Sequence, residues 1–478
     1  MIYDVAVIGA GVVGAMIGRA LSRYDLSICI LERETDVAMG ATKANSAIVH
    51  AGFDAHEGSL KAKLNVEGSE MFEQVAKDLG VKYIRNGSLV IGFTEEDLET
   101  IQTLYERGLQ NGVRELKILN AEEVHALEPN LSEKVIGALY APTGAITCPY
   151  ELTIAAIGNA MDNGADLKLN FDVREISEAG GVYTLSNGTE TVTARFVINA
   201  AGVYSDAVAR MIGDDSFTVH PRRGEYILLD REIGNIVKKT IFRTPSKMGK
   251  GILVSPTVDG NLLTGPTAEN IDDKEEKKTT VEGLALVMRE AVENSAAVRF
   301  NQSITSFTGL RAVGSTGDFI LTSPKQGFIN AAGIESPGLT ASPAIAEYIV
   351  KMLGGQGLKL VEKENYQKTR RSITWFKDAT REEKNAAIRE NPAFGRVICR
   401  CETVTEGEIL EALRRNPKAT DLDGVKRRTR AQMGRCQGGF CSPYIVGLIS
   451  EELGIPYEKV TKSGGNSYIN LGKTKEGR

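Results

Sequence analysis

The chain has 478 residues, of which 42% are hydrophobic and 25% charged, and its formal net charge is −5. This length predicts two to four domains, and the slightly acidic balance gives no reason to expect a nucleic acid or an anionic membrane as partner. No apolar stretch approaches the roughly 20 residues that cross a bilayer. Asp4 stands where a secretion signal would carry basic residues. We therefore expect a cytoplasmic protein that reaches a membrane only through a partner.

Hydrophobic periodicity predicts the order of elements along the chain. The N-terminus predicts a strand, a helix and a strand, at residues 3–8, 12–22 and 27–31. Apolar residues at helical spacing predict an amphipathic helix over residues 60–79. Further strands are expected over residues 88–93, 196–200, 225–229, 261–264 and 327–330. The segment 215–325 is strand-rich, with one helix near residues 280–294.

A glycine-rich turn joins the first predicted strand to the first helix. Gly9, Gly11 and Gly14 fit G-x-G-x-x-G, which allows a tight turn, close approach of a pyrophosphate to the backbone and close helix–sheet packing. The N-terminus of the helix adds unpaired N–H donors. Glu32 ends the second strand, where a carboxylate can accept hydrogen bonds from an adenosine ribose. This arrangement predicts a dinucleotide site, for either NAD or FAD.

Later segments favour a flavin. Residues 41–46 (ATKANS) offer small hydroxyl and amide side chains to a pyrophosphate and a flavin edge. Residues 197–202 (VINAAG) and 328–333 (FINAAG) are strands that run into turns of small residues. The second of these continues through residues 336–340 into an apolar helix, whose N-terminus would stabilise the negative charge of a reduced flavin.

Several longer stretches carry a family resemblance. They are ATKANSAIVHAGFD (41–54), GSLKAKLN (58–65), INAAGVYSD (198–206), RRGEY (222–226), TGLRA (308–312) and NAAGIESPGLTASPAIA (330–346). Over about residues 1–360 the chain resembles the FAD-dependent D-amino-acid-oxidase-like family, in its glycerol-3-phosphate dehydrogenase and L-2-hydroxyglutarate dehydrogenase branches. The resemblance implies FAD as cofactor. We assign the FAD site to Gly9, Gly11, Gly14, Glu32, Arg33, Thr42, Asn45, Ser46, Val173, Ala200, Gly202, Gly333, Gly338, Leu339 and Thr340.

Oxidation of a secondary alcohol by a flavin requires a base for the hydroxyl proton. Of the four histidines, His50 lies in an apolar segment just beyond residues 41–46, where the histidine of the family falls. Histidine titrates near neutral pH and suits a general base, so we expect His50 to be catalytic; a structural hydrogen bond is the alternative. His56 and His125 lie in polar segments typical of a surface, and His220 stays undecided.

Arg311 is the strongest candidate for binding an anionic substrate. The resemblance places an arginine of the TGLRA motif over the flavin, and a guanidinium suits a phosphate or a carboxylate. The alternative is a structural salt bridge. Arg223 and Lys250 are weaker candidates. We therefore predict His50 and Arg311 as the catalytic residues.

Four of the six cysteines lie in the last fifth of the chain, with the spacing C-x-C-x₃₄-C-x₄-C: Cys399, Cys401, Cys436 and Cys441. Four thiolates on two short loops can hold a [2Fe–2S] cluster or zinc, and we predict them as metal ligands. The flanking stretches CRCETVTEGEI and RAQMGRCQGGFC resemble the bacterioferritin-associated-ferredoxin-like domain, which implies the cluster. The other two cysteines, Cys29 and Cys148, are expected to be buried, reduced thiols. The basic residues 426–430 could steer a partner or offset the cluster's charge, or form a solvated loop.

The expected fold is α/β, with a Rossmann-like FAD-binding domain, an inserted antiparallel-sheet substrate domain and a small α-rich [2Fe–2S] domain at the C-terminus. The domain boundaries are 1–75, 145–215 and 326–360 for FAD, 76–144 and 216–325 for substrate, 361–393 for a helical linker and 394–478 for the cluster. The expected reaction is oxidation of sn-glycerol 3-phosphate to dihydroxyacetone phosphate, with electrons passing through FAD and the cluster to an acceptor or a partner subunit. Such a partner would be a second flavoprotein or an electron-acceptor subunit. L-2-hydroxyglutarate or a secondary amino acid are alternative substrates, and an electron-transfer subunit without its own reaction is the third hypothesis.

Overall fold

A computed structural model describes residues 1–245, 251–472 and 475. Lys250, one of the weaker candidates for anion binding, lies outside the described residues. Within these ranges, no helix is both long and apolar enough to cross a membrane.

Strands build two large sheets and two small ones. In chain order they are β1 (Ile2–Ile8), β2 (Ile28–Leu31), β3 (Ile48–Val49), β4 (Tyr83–Ile84), β5 (Ser88–Gly92), β6 (Lys117–Asn120), β7 (Gly137–Ala141), β8 (Ala145–Thr147), β9 (Asp166–Lys168), β10 (Glu175–Ala179), β11 (Val182–Ser186), β12 (Thr191–Asn199), β13 (Val219–Leu229), β14 (Thr240–Arg243), β15 (Leu253–Pro256), β16 (Leu262–Gly265), β17 (Glu269–Asn270), β18 (Ser303–Gly314), β19 (Ile320–Lys325), β20 (Phe328–Ala332), β21 (Val397–Cys399) and β22 (Val404–Thr405).

Helices cover the sheets and form most of the C-terminal part. In chain order they are α1 (Val12–Leu21), α2 (Leu60–Leu79), α3 (Glu95–Gln110), α4 (Ala121–Leu127), α5 (Pro149–Asp162), α6 (Ser205–Arg210), α7 (Val281–Asn294), α8 (Gly338–Gly355), α9 (Arg381–Glu390), α10 (Glu406–Arg414), α11 (Leu422–Thr429) and α12 (Ser442–Leu453).

The first large sheet carries the predicted strand–helix–strand unit at its centre. Its parallel part runs β9–β2–β1–β12–β20, and β10, β11 and β19 extend it with antiparallel pairs. Helix α1 packs against α5 and α8 over the main hydrophobic core. Gly18 of α1 allows close packing on β2, since a Cβ there would lie 2.6 Å from Cδ1 of Ile30. The central unit of the first sheet is therefore as the sequence predicts.

The second large sheet has the strand order β17–β13–β16–β15–β14–β5–β7–β6, and β18 pairs with the other side of β13. Most of its pairs are antiparallel, as expected, but β14 and β5 run parallel. The long β13–β18 ladder places Arg311 opposite Arg222. This ladder is the element that faces the first sheet across the cavity described below.

The connection to the C-terminal part differs from the prediction. Helix is confined to α9, and residues 361–380 form no α-helix, so the expected helical linker over residues 361–393 is too long. The backbone of this segment bonds instead to the first domain: the amide of Asp25 donates to Val361, and that of Lys363 to Arg23. The backbone of this segment therefore makes hydrogen bonds with the surface of the first domain rather than within a helix of its own.

A small domain follows, built from α10, α11, α12 and the β21–β22 pair around its own hydrophobic core. Helix α10 begins at a capping box, in which Thr405 and Glu408 bond each other's backbone. The domain is small and mostly helical, as the sequence predicts.

A buried ion-pair cluster joins this domain to the first. Asp36, in the loop after β2, accepts hydrogen bonds from Arg427 at 2.6 Å and from both terminal nitrogens of Arg428 at 2.7 and 2.8 Å. Burial alone would raise the pKa of Asp36, but the two guanidinium groups outweigh it and hold the pKa well below its usual range. The basic run 426–430 is therefore not a solvated loop: most of it lies in α11, and Arg427 and Arg428 are buried at the domain interface.

We expect Asp36→Asn to lower the free energy of unfolding by about 3–5 kcal/mol, because it leaves two buried guanidinium groups without a counter-charge. The stabilisation should be fully present above the unfolded pKa of about 3.9 and be lost as the pH falls towards the lowered folded pKa. Denaturant unfolding of the holoprotein at neutral pH measures the effect.

The matched control is Asp423→Asn, which breaks an exposed pair with Lys462 and should cost no more than about 1 kcal/mol. An equally small loss for both variants would contradict the account of Asp36.

Candidate active site and cysteine centre

A cavity of about 690 Å³ lies between the carboxyl-terminal ends of the parallel strands and the β13–β18 ladder. Sites in open α/β sheets occur at this edge. It is lined by most of the residues that the sequence singles out: Gly9, Gly11, Glu32, Arg33, Thr42, Asn45, Ser46, His50, Val173, Ala200, Gly202, Arg311, Gly338 and Leu339. The fold thus brings together segments that lie up to about three hundred residues apart in the chain.

The glycine turn is shaped for close backbone contacts. Gly9 has a φ of +103°, and a Cβ there would lie 2.5 Å from the carbonyl oxygen of Ala200. Gly11 caps α1 without a side-chain hydrogen bond, and the amide of Val12 is bonded to Oγ1 of Thr42 at 3.0 Å. The cavity wall at the start of α1 therefore includes glycine backbone and Thr42.

Glu32 is held in place by the turn. Its carboxylate accepts hydrogen bonds from the amides of Ala10 at 2.8 Å and Glu34 at 3.0 Å. Burial raises the pKa of Glu32, and these two amides act in the opposite direction. The position and partners of this carboxylate suit a ribose-binding role.

Gly14, Gly333 and Thr340 do not line the cavity. A Cβ on Gly14 would lie 2.0 Å from the carbonyl oxygen of Gly9, so this glycine permits helix α1 to meet the turn. Gly333 forms a left-handed turn with a φ of +61°, and Thr340 is fully buried, where its hydroxyl accepts the amide of His50 at 2.8 Å. All three lie behind the cavity wall. Close packing at the two glycines and a hydrogen bond at Thr340 occupy the space around them.

His50 lies just after β3, and its ring reaches the cavity. Nε2 lies 3.3 Å from Oγ of Ser336, and the ring centroid lies 5.8 Å from that of Phe242. His50 and Ser336 both line the cavity. This geometry suits a group that takes a proton from a bound alcohol.

Arg311 extends from β18 into the same cavity. One terminal nitrogen donates to the carbonyl oxygen of Thr267 at 2.9 Å, and no ion pair involves Arg311 among the described residues. A Cβ on Gly224 would lie 2.8 Å from this nitrogen, so the glycine of β13 leaves space for the guanidinium. Its positive charge is thus positioned by a neutral partner and faces the cavity.

Two other sequence candidates do not reach the cavity. Arg223 bonds Glu269 at 2.5 Å and lies 3.6 Å from buried Glu225, so it forms a structural ion pair. His220 is exposed and contacts Thr218. Neither lines the cavity.

Several cavity residues were missed by sequence reasoning. Tyr226 lines the cavity, its hydroxyl lies 3.3 Å from Oγ of Ser46, and its ring stacks on Phe307. Tyr226 ends the RRGEY motif, so the signal was present, but its inward direction depends on the register with β18. Tyr204 also lines the cavity, and its ring lies under the guanidinium of Arg33. Glu275, in a loop of the second sheet, accepts hydrogen bonds from Arg33 and Tyr204. No local sequence pattern predicts this contact.

The four clustered cysteines form two pairs. Sγ of Cys401 and Sγ of Cys436 lie 3.7 Å apart, close to the separation of about 3.8 Å between two thiolates on one tetrahedral metal at 2.3 Å. The thiol of Cys441 hydrogen-bonds Cys399 and lowers the pKa of Cys399 to about 6. Cys401 is exposed, and Cys399 and Cys441 are buried.

Within the part of the chain that the structure describes, no group of three or more Cys, His, Asp or Glu side chains is gathered as one metal ion would require. Two pairs suit a cluster in which each of two irons takes two thiolates. The two remaining cysteines, Cys29 and Cys148, are buried elsewhere as expected, and burial raises the pKa of Cys29 to about 12.

Comparison with known families agrees with this geometry. Residues 4–352 match the FAD dependent oxidoreductase family (DAO), and residues 397–451 match the BFD-like [2Fe-2S] binding domain. The chain therefore belongs to the FAD dependent oxidoreductase family and carries a BFD-like [2Fe–2S] domain. The predictions of FAD rather than NAD, and of a [2Fe–2S] cluster rather than zinc, are confirmed.

One relative spans both parts of the chain, and two others match a part of it. The glycerol 3-phosphate dehydrogenase of Caloramator mitchellensis is 46% identical over 475 residues, which is 99% of each chain. A second match is the solved structure of dithionite-reduced L-α-glycerophosphate oxidase from Mycoplasma pneumoniae with FAD bound. Its TM-score is 0.74 and its identity 29%, over 78% of this chain and 99% of that one. The mitochondrial L-2-hydroxyglutarate dehydrogenase of Bos taurus is 31% identical over 290 residues, covering 56% of this chain and 61% of the relative.

We expect Ser at any one of Cys399, Cys401, Cys436 or Cys441 to lose or destabilise the cluster, because each thiol belongs to one of the two pairs. Iron and acid-labile sulfide assays on anaerobically prepared protein, two of each per wild-type chain, provide the measurement. The matched controls Cys29→Ser and Cys148→Ser should keep the cluster. Full iron and sulfide in all four test variants would contradict the assignment.

Proposed function

We propose that this chain oxidises sn-glycerol 3-phosphate to dihydroxyacetone phosphate and passes the electrons from FAD to its [2Fe–2S] cluster. The observation that carries the proposal is the joint position of Arg311 and His50 in one cavity: a guanidinium with no carboxylate partner among the described residues, and an imidazole beside a hydroxyl. The relative that is 46% identical over 99% of the chain is named for the same substrate.

In this proposal Gly9, Gly11 and Thr42 would hold the pyrophosphate of FAD, and Glu32 would hold its adenosine ribose. Helix α1 supports this placement because its N-cap residue, Gly11, has no side chain and the positive end of the helix dipole is favourable for an anion. Ser46 and Gly338, which line the cavity, would contact the flavin. When bound, FAD supplies the acceptor for the hydride that leaves the substrate carbon.

The substrate's phosphate would be held by Arg311, whose fork of N–H donors matches phosphate oxygens. The carbonyl of Thr267 fixes the direction of this side chain. His50 would take the hydroxyl proton at Nε2, the ring nitrogen that lies 3.3 Å from Oγ of Ser336. Thr340 positions the backbone of His50 from behind the cavity.

A one-electron acceptor or a partner subunit would complete turnover by reoxidising the cluster. The exposure of Cys401 supports transfer to a second protein, because it brings one pair of thiols to the surface. The cytoplasmic location expected from the sequence stays a prediction.

L-2-hydroxyglutarate is the second candidate substrate. A guanidinium binds a carboxylate as well as a phosphate, and an L-2-hydroxyglutarate dehydrogenase is 31% identical over 56% of this chain. The same His50 would take the proton of its hydroxyl group. The choice between the two substrates depends on the anion that fits beside Arg311.

We expect sn-glycerol 3-phosphate, added to the holoenzyme without oxygen, to bleach the long-wavelength flavin band, because hydride transfer ends the oxidised chromophore. Glycerol, which has no anion for Arg311, should bleach it very poorly. L-2-hydroxyglutarate, proline and sarcosine are measured under the same conditions. Fast bleaching by one of these, with sn-glycerol 3-phosphate inert, would overturn the proposed substrate.

The variants in this experiment separate binding from chemistry. His50→Ala should slow the bleaching by about 10²–10⁴-fold, the usual cost of a missing general base. Arg311→Ala should mainly raise KM, since it removes charge-assisted hydrogen bonds worth about 1.5–3 kcal/mol. Arg222→Ala, directly opposite Arg311 on the neighbouring strand but outside the cavity, is the matched control and should leave both values unchanged.

A further inference from the structure

Tyr150 lies in the first turn of α5, close to the wall of the FAD cavity. Ala47 and Ile48 form part of that wall. Ile48 pairs with Ile146 of β8, and the amide of Thr147 donates to the carbonyl oxygen of Ala47 at 3.0 Å. Tyr150 follows three residues later, so a continuous bonded path leads from the cavity wall to its ring.

The hydroxyl group of Tyr150 contacts the C-terminal domain. It donates to Sδ of Met433 at 3.5 Å and accepts from Nη1 of Arg430 at 3.5 Å. Arg430 is fixed in turn by Asp259 at 2.6 Å and by Glu402 at 3.0 Å. The Tyr150–Met433 contact therefore sits within a network of ion pairs that gives it a defined geometry.

Met433 is adjacent to the cysteine centre. It precedes Gly434, where a Cβ would lie 2.3 Å from Cβ of Cys401. The amide of Gln437 bonds the carbonyl oxygen of Gly434 at 2.9 Å, which closes the turn that contains Cys436. The segment from Met433 to Cys436 thus packs directly on the pair formed by Cys401 and Cys436.

We propose that Tyr150 and Met433 form the electron route between the FAD cavity and the [2Fe–2S] cluster. Electron tunnelling slows exponentially with distance and is faster through bonded and packed atoms than across a gap. Tyr150 follows the strand bonded to the cavity wall, Met433 precedes the turn that carries Cys436, and the two side chains contact each other directly.

Each passage moves one electron. The reduced flavin loses it, and the oxidised cluster gains it. Two passages, with the cluster reoxidised by the acceptor in between, return the flavin to its oxidised state, and over both of them the one proton that came with the hydride is released to water. Tyr150 and Met433 form and break no bond and hold no charge; they serve as the medium through which the electron tunnels. The inference rests on the electron-transfer step of the proposed function, but it is independent of the substrate.

The test follows one electron inside the holoprotein that carries both cofactors. A light flash with a deazaflavin donor delivers a small amount of reductant, and absorbance then follows the redistribution of the electron between flavin and cluster. A phase whose rate does not depend on protein concentration is internal to the chain. This phase reports on the route in either direction, whichever cofactor is reduced first.

We expect Tyr150→Leu and Met433→Ala each to slow the internal phase several-fold, since each opens a gap in the packed path. The final distribution of the electron, which the two reduction potentials set, should not change, and FAD, iron and sulfide content should stay at wild-type values. Tyr150→Phe, which keeps the ring in place, should be slowed less than Tyr150→Leu.

Tyr366→Leu is the matched control. Tyr366 is also partly buried and contacts the same helix α5, at Asn159, away from Met433; this variant should redistribute the electron at the wild-type rate. Wild-type rates in both Tyr150→Leu and Met433→Ala, with both cofactors bound, would overturn the route. A changed final distribution with an unchanged rate would overturn it as well, because the residues would then act on a potential. An absent internal phase in the wild type would instead refute the electron-transfer step of the proposed function, and the route with it.

Discussion

Ion pairs hold the C-terminal domain on the rest of the molecule, and the most buried of them centre on one carboxylate, Asp36. Asp36 accepts hydrogen bonds from two arginines of α11, and all three side chains are at most 7% exposed. Such a cluster tolerates little displacement, since a shift of either domain would leave a buried charge without its partner. The C-terminal domain is thus attached to the first domain at a fixed position rather than only by residues 361–393.

The same loop also supports the dinucleotide turn. Two residues after Asp36, the amide of Ala38 donates to the carbonyl oxygen of Ala10 at 3.0 Å, and the amide of Ala10 donates to Glu32. The interface with the cluster domain and the glycine turn therefore share one short, hydrogen-bonded segment. A displacement of the interface is expected to displace the glycine turn as well, because few freely rotating bonds lie between them.

Local spacing was sufficient to predict the glycine turn, Glu32 and the four clustered cysteines, because each requires particular residue types at short intervals. The Asp36–Arg428 contact joins residues 392 positions apart, and no local pattern reports such a pair. The direction of Tyr226 depends on the register between β13 and β18 in the same way. Residues 361–380 were overestimated as helix because their polar composition is compatible with a helix, while the backbone bonds that decide their course come from another domain.

The cluster domain is fixed on the FAD domain, so that in the proposed function the two cofactors form one unit for electron transfer. The most direct measurement is the magnetic interaction between the one-electron-reduced flavin and the reduced cluster, by electron paramagnetic resonance on frozen holoprotein. A fixed interface predicts one narrow distribution of couplings, because every molecule has the same separation. A broad distribution, or no measurable coupling, would contradict the account.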